Sequence, residues 1–246
     1  MPDIPKIFMQ TWKNNNVPEH WKSSPASVKR LMPDWKYVLM TDKDNRNLVK
    51  KYFPDYLDLY DNLEYPIMRA DIIRYMFLYI YGGVYADMDI EITKPLDDLF
   101  QDDGDVYVVE SGNGGSIYTN SFLASKPGCK IWLDCLEEIR KPYPYWAYGK
   151  HLKVMSKTGP LMLTRVIKNS KYKYHISKIP KKLVMPCNVC DTKPCTKPGA
   201  YTKALEGSSW CGWDSYIYTS CMCNSKKILI LILAIIILIY IYVRLL

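Results

Sequence analysis

Two aspartates one residue apart, Asp87 and Asp89, sit in the otherwise apolar run GGVYADMDIE, residues 82 to 91. Asp is a poor strand former because its short polar side chain competes for nearby backbone groups. In an extended strand Tyr85, Asp87, Asp89 and Glu91 share one face, and Ala86, Met88, Ile90 and Ile92 share the other. The alternation fits a half-buried strand with a solvated acidic face, yet no Lys or Arg interleaves the acids. A divalent cation held by carboxylate oxygens relieves crowding of this kind. The run is therefore a candidate metal site, provided that the surrounding elements hold it open to a ligand.

The element immediately before it is the longest helical signal in the chain. YPIMRADIIRYMFLYIYGG, 65 to 83, has Pro66 in its first turn and Gly82 and Gly83 at its stop. It is apolar on every side except at Arg69, Asp71 and Arg74. Asp71 and Arg74 lie three apart on one face, and on so apolar a helix the pair must be largely buried, where charged groups usually serve a function. Upstream, IPKIFMQTW (4 to 12) reads as a strand, SPASVKRLMP (24 to 33) as a short helix, DWKYVLMT (34 to 41) as a second strand, and DKDNRNLVKKYFP as a helix capped near Asp42. Downstream come PLDDLF as a short helix and DVYVVES (105 to 111) as a strand. The helices GCKIWLDCLEEIRK and KTGPLMLTRVIKN (157 to 169) and the late strand YHISKIPKKLVMP follow. Alternating strands and helices predict an α/β fold. The acids fall at the end of a strand that follows a buried helix, where an open α/β sheet leaves its ligand crevice.

A chain of 246 residues is long enough for one domain with a substantial core, and a hydrophobic content of 48% excludes a disordered protein. The net charge of +8 is spread along the chain without a Lys/Arg block, which argues against nucleic acid as a partner. A basic surface around a local acidic pocket suits an anionic ligand that arrives with a metal ion. The body is assigned to 1–220, with a Cys-rich segment at 187–223, and 226–246 is read as a C-terminal transmembrane anchor. Its uncharged run from Ile228 to Val243 is 16 residues long and is followed by Arg244 and two leucines that extend its reach. The N-terminal MPDIPKIFMQTWK lacks the shape of a signal peptide. The expectation is a single-pass membrane protein inserted after synthesis, with a cytosolic body, and Lys226 and Lys227 on the body side agree with it. Cys129 and Cys135 read as buried thiols. The six others (Cys187, Cys190, Cys195, Cys211, Cys221, Cys223) are compatible with disulfides, with zinc held partly by CNVC, with acylation next to the anchor, or with free thiols.

Taken in order, IPKIFMQTWK, RADIIRYMFLYIYGGVYADMDIE, TNSFLASKPG, TGP and GSSW resemble glycosyltransferase family 32, the DXD sugar-binding family that includes fungal alpha-1,6-mannosyltransferases and inositol phosphoceramide mannosyltransferases. The likeness spans roughly 4 to 213 and is strongest at 66 to 98. It implies a GT-A type, Rossmann-like nucleotide-sugar-binding fold, a nucleotide-sugar donor, Mn²⁺ or Mg²⁺, a glycan or glycolipid acceptor, and transfer with retention of configuration. It also implies roles. Asp87 and Asp89 bridge metal, diphosphate and ribose; Asp71, Arg74 and Asn120 lie at the donor sugar; Gln10 and Trp12 belong to the donor site, with Trp12 stacked on the base; Ser209 and Trp210 close over the diphosphate. The chain departs from the family pattern at Met9, Ala204 and Leu205, where His is common. Glu206 is then the nearest substitute metal ligand, or else a solvated loop acid.

The chemistry of the residues agrees with that implication. Adjacent carboxylates repel a diphosphate by ~1 kcal/mol per close pair in water and by ~4 kcal/mol at protein-like screening, and a cation between them reverses the sign. The same cation stabilises charge on the departing nucleoside diphosphate. Two alternatives stand beside a transferase: a non-catalytic binder of nucleotide sugar or glycan, and a glycoside hydrolase. The hydrolase is disfavoured because its two carboxyl groups flank the bond at ~5–9.5 Å instead of neighbouring each other on one strand.

Overall fold

The structure, a computed structural model, describes residues 4–111, 117–170, 176–207, 209–230, 233 and 235–237. The chain begins with β1 (Ile7–Thr11), α1 (Ser23–Leu31), β2 (Lys36–Met40), α2 (Asp42–Tyr52) and α3 (Leu57–Asp61). It continues through α4 (Pro66–Tyr81), β3 (Gly83–Ala86), β4 (Ile90–Ile92), β5 (Val106–Ser111) and β6 (Ile117–Ser125). Then come α5 (Ile131–Arg140), α6 (Gly149–Lys157), α7 (Pro160–Asn169), β7 (Ile176–Ile179), α8 (Lys181–Val184), β8 (Thr202–Ala204) and α9 (Trp213–Cys223).

Six strands form a mixed sheet in the order β2-β1-β3-β6-β5-β7. β1 runs parallel to β2 and β3, whereas β6 is antiparallel to β3 and β5. Alternation sends successive side chains to opposite faces. Met9 and Tyr85 thus join the core under α2, α4, α5 and α7, while Phe8, Val84 and Ala86 join a second core with Val28 of α1 and Val184 of α8. With helices on both faces the sheet is buried on both, as an α/β fold requires.

The α4–β3 unit follows from its sequence. Pro66 occupies the first turn, where its missing N–H leaves no intrahelical bond unmade, and apolar residues all round suit a helix with a core on every side. Gly82 ends it at φ 65°, donating its N–H to Leu78 O, and Gly83 follows at φ 88°. A Cβ on Gly83 would fall 2.4 Å from Ile7 O, so the double glycine lets β3 pair tightly with β1. α2 is capped one residue earlier than Asp42: Thr41 and Asp44 form a reciprocal capping box.

Other expectations need correction. The acidic run is not one strand. β3 ends at Ala86, Asp87 to Asp89 form a turn closed by Ile90 N–H on Asp87 O (3.1 Å), and β4 pairs with β8 in a separate two-stranded sheet. The turn breaks the period of two, so Met88 packs with Trp21 and Leu205 instead of joining Ala86, Ile90 and Ile92. SIYTNSFLAS, which the sequence left without an assignment, supplies the nine-residue β6. α6 was hidden behind the Pro/Tyr-rich stretch before it.

In the Cys-rich segment, Cys187 pairs with Cys195 and Cys190 with Cys223. Cys129 and Cys135 are buried and unpaired, as expected, and Cys211 and Cys221 are also unpaired. Among the described residues no single helix is long and apolar enough to cross a membrane. A bent pair, Trp213–Cys223 and Ser225–Ile237, meeting at 72°, passes by length and composition. The expected anchor continues to 246, and most of its end lies outside the described residues.

Gly83→Ala is expected to destabilise the fold by ~2 kcal/mol or more, because a side chain at that positive φ also collides with the β1 backbone. Urea denaturation of the variant checks this, and a midpoint unchanged from wild type would contradict it.

Candidate active site

Arg74 leaves the middle of α4 and is 2% exposed. Its Nη2 is 2.7 Å from Asp71 Oδ1; its Nη1 donates to Asp87 Oδ1 (3.0 Å) and to Asn120 O (2.5 Å). The guanidinium also lies over the Tyr85 ring at 4.4 Å, and the Tyr85 hydroxyl donates to Asp87 Oδ1 at 2.6 Å. Behind it, Asp71 accepts from Asn120 Nδ2 (2.9 Å) and from Thr158 Oγ1 (2.7 Å). Burial pushes the Asp71 carboxyl up, opposed by Arg74. Burial pulls Arg74 down, but the charges of Asp87, Tyr85 and Asp71 outweigh it and its pKa is raised. Asp71 and Arg74 are therefore a buried ion pair whose remaining polar capacity is filled, the condition under which such a pair is tolerated.

The turn carrying the acids is fastened from several directions. Gln10 Nε2 donates to Asp87 O (3.1 Å) and to Ser24 Oγ (2.9 Å), Ser24 Oγ donates to Ile90 O, and Leu205 N–H donates to Asp89 O (2.8 Å). The indole N–H of Trp21 donates to Glu206 O. The Asp87 and Asp89 side chains open into a cavity of about 330 Å³. Trp12, Lys13 and Trp21, Ala70, Arg74 and Tyr85, and Lys150, Ser209 and Trp210 line it as well. Trp12 stands edge-on to Trp21 (4.9 Å, 88°), and its buried indole N–H has no partner among the described residues. Trp210 stacks on His151 at 5.5 Å.

The two acids are not equivalent. Asp87 accepts from Arg74 and Tyr85. Among the described residues Asp89 has no such cation in contact: burial, and then the neighbouring Asp87 charge, push its carboxyl up to about 7, opposed by the more distant charges of Lys193 and Arg74. A Cβ on Gly207 would fall 1.8 Å from Asp89 Oδ2, so only glycine leaves room there. An acid held above its ordinary range by a second acid, with glycine beside it, fits a site for a divalent ion. Asp87 and Asp89 would hold it.

The cavity wall thus unites Trp12, Arg74, Asp87, Asp89, Ser209 and Trp210 from the sequence-derived set. Asp71, Asn120 and Gln10 are buried behind it, their polar atoms engaged with Arg74, Thr158, Ser24, Tyr37 and the turn. Glu206 is exposed, and no cluster of three potential ligand atoms within 4.8 Å includes it among the described residues. The cluster that does meet that distance, Cys187, Asp191 and Cys195, has both sulfurs in a disulfide and offers no thiolate. Thr158, Tyr85, Trp21, Lys150 and Gly207 were missed. Thr158 stands in the TGP run just before the Pro-started α7 and Gly207 opens the GSSW run, both usable signals; Tyr85, Trp21 and Lys150 carried none.

Arg74→Ala should lower stability by ~3–5 kcal/mol, since it leaves Asp71 charged and buried without its cation; urea denaturation measures it. Asp89→Asn should act oppositely in metal-free protein. Because the folded-state pKa of about 7 lies above the ordinary 3.8, the native state holds the extra proton at low pH and loses that advantage as pH rises through 7. Asn does not titrate. The variant should match wild type near pH 4 and exceed it at pH 8 by on the order of 2 kcal/mol, and thermal melts across that range check the sign.

Residues 18–105 match the family described as glycosyltransferase sugar-binding region containing DXD motif. The chain is 36% identical over 168 residues to mannosyl phosphorylinositol ceramide synthase SUR1 of Saccharomyces cerevisiae, covering 68% of this chain and 43% of that protein. It is 37% identical over 164 residues to inositol phosphoceramide mannosyltransferase 3 of Schizosaccharomyces pombe, covering 65% and 44%. The match therefore spans less than half the length of those two relatives. Among solved structures the PaToxG glycosyltransferase superposes with a TM-score of 0.53 at 17% identity, covering 69% of this chain and 70% of that one, which shows a shared fold. Over residues 18–105, then, the chain is similar to proteins that carry the glycosyltransferase sugar-binding region containing the DXD motif.

Proposed function

We propose that the chain is a metal-dependent, GT-A type glycosyltransferase that moves a hexose, with mannose favoured, from a nucleotide sugar to a glycan or glycolipid acceptor. The observation that carries this reading is the placement of Asp87 and Asp89, on a turn, in the lining of a cavity that Trp12, Trp21, Lys150 and Trp210 also line. Aromatic rings suit a nucleoside base, and the acids with a cation suit a diphosphate. The preference for mannose and a lipid-linked acceptor follows the printed names of the relatives.

In this reading Trp12, in the cavity lining, stacks on the base. A divalent ion held by Asp87 and Asp89 would supply Lewis-acid stabilisation of the departing nucleoside diphosphate. Arg74 fixes Asp87 in direction, and its own position is set by Asp71 and Asn120. Those two residues therefore act through Arg74. Lys150 and Trp210 line the same cavity, where a bound donor would meet them. Retention of configuration is carried by the family resemblance.

The proposal includes a membrane-associated body. The apolar run after α9 supports it, and Cys187–Cys195 and Cys190–Cys223 favour an oxidising compartment over the cytosolic placement expected from the sequence.

A panel of nucleotide sugars incubated with the protein and Mn²⁺ should release nucleoside diphosphate from at least one donor. Asp87→Asn and Asp89→Asn should each lower that release by about two orders of magnitude or more, the equivalent of several kcal/mol of charge stabilisation. Release that survives in both variants would remove the metal-site reading. Binding of a donor without release would instead identify a nucleotide-sugar binder.

A further inference from the structure

Beside the cavity lies a surface that the transfer chemistry does not use. Exposed aromatic residues concentrate on the loop before α6 and on α9: Tyr145 is 90% exposed, Tyr148 78%, Trp213 76% and Tyr216 68%, with Ile217 next to them. The two segments are joined at Asp214, whose Oδ2 accepts from His151 N–H (2.7 Å), while His151 Nδ1 and Ser215 Oγ lie 3.1 Å apart. Ser215 is buried, so α9 presents Trp213, Tyr216 and Ile217 outward together. Lys150 and Trp210, which line the cavity, are two and three residues along the chain from Tyr148 and Trp213. The patch and the cavity mouth thus form one end of the molecule.

Three observations identify what covers this face. Its composition is Tyr and Trp, rings with an apolar body and a polar tip, with Lys150 following the loop and Lys226 and Lys227 following α9 along the chain, the chemistry of a bilayer interface. It leads directly into the uncharged run 228–243. The helix from Ser225 meets α9 at 72°. If that run enters a bilayer near its normal, α9 lies within roughly 20° of the membrane plane.

We infer that α9 and the 145–148 loop dock on the lipid surface and hold the cavity mouth at the headgroups. The docking stands independently of the proposed transferase reading. The full chain, reconstituted in vesicles of phosphatidylcholine with a minor fraction of phosphatidylserine, is compared with the same vesicles brominated near the glycerol end of the acyl chains. Bromine should quench tryptophan emission, and Trp213→Phe should remove the greater part of that quenching. Tyr216→Asp with Ile217→Asp should shift the remaining Trp213 emission to the red and weaken its quenching, while donor consumption in detergent stays at the wild-type rate. Quenching that Trp213→Phe leaves unchanged, whether because Trp213 faces water or another protein, overturns the docking. Failure to consume any nucleotide sugar would overturn the transferase reading alone, since the quenching does not depend on turnover.

Discussion

One buried guanidinium ties the catalytic end of this fold together. Arg74 reaches from α4 to Asp71 on its own helix, to Asp87 at the end of β3, and to the Asn120 carbonyl on β6. A cation so little exposed is tolerated only because each of its donors finds oxygen and its flat face finds Tyr85. Its partners come from three elements, so the position of the sheet edge, the helix and the acidic turn are fixed by the same set of bonds. Thr158, at the α6–α7 junction, adds a fourth element through Asp71.

That network divides labour between the two acids. Asp87 is paired and oriented, while Asp89 stays in a position that disfavours its charge. One carboxylate is fixed by its neighbours, and the other is left beside it without that support. Gly207 belongs to the same device, since the late loop approaches Asp89 so closely that a methyl group would displace it. The loop itself is anchored by β8 pairing with β4 and by the Trp21 indole on Glu206 O.

The cavity's outer side is built differently. Polar contacts through Asp214 and His151 join α6 to α9, and disulfides join the Cys-rich segment to itself and to α9. This end is rich in exposed rings, in contrast to the apolar floor under Arg74.

The sequence by itself determined the elements whose signals are local. α4 was legible from Pro66 at one end and the glycine pair at the other, and the burial of Asp71 and Arg74 followed from the apolar residues around them. The alternation of strands and helices gave the fold class, and the family motifs brought Asp87 and Asp89 to attention. Only the tertiary structure decided how those residues are used. Whether Asp87 to Asp89 continue a strand or turn depends on partners: β3 pairs with β1 and β6, but β4 pairs with β8, more than a hundred residues later. No local period encodes that change of sheet. The same holds for Gly207 beside Asp89, for Thr158 behind Asp71, and for Glu206 turned out to solvent. Each depends on where distant segments of backbone come to rest, which side-chain type and spacing along the chain do not specify.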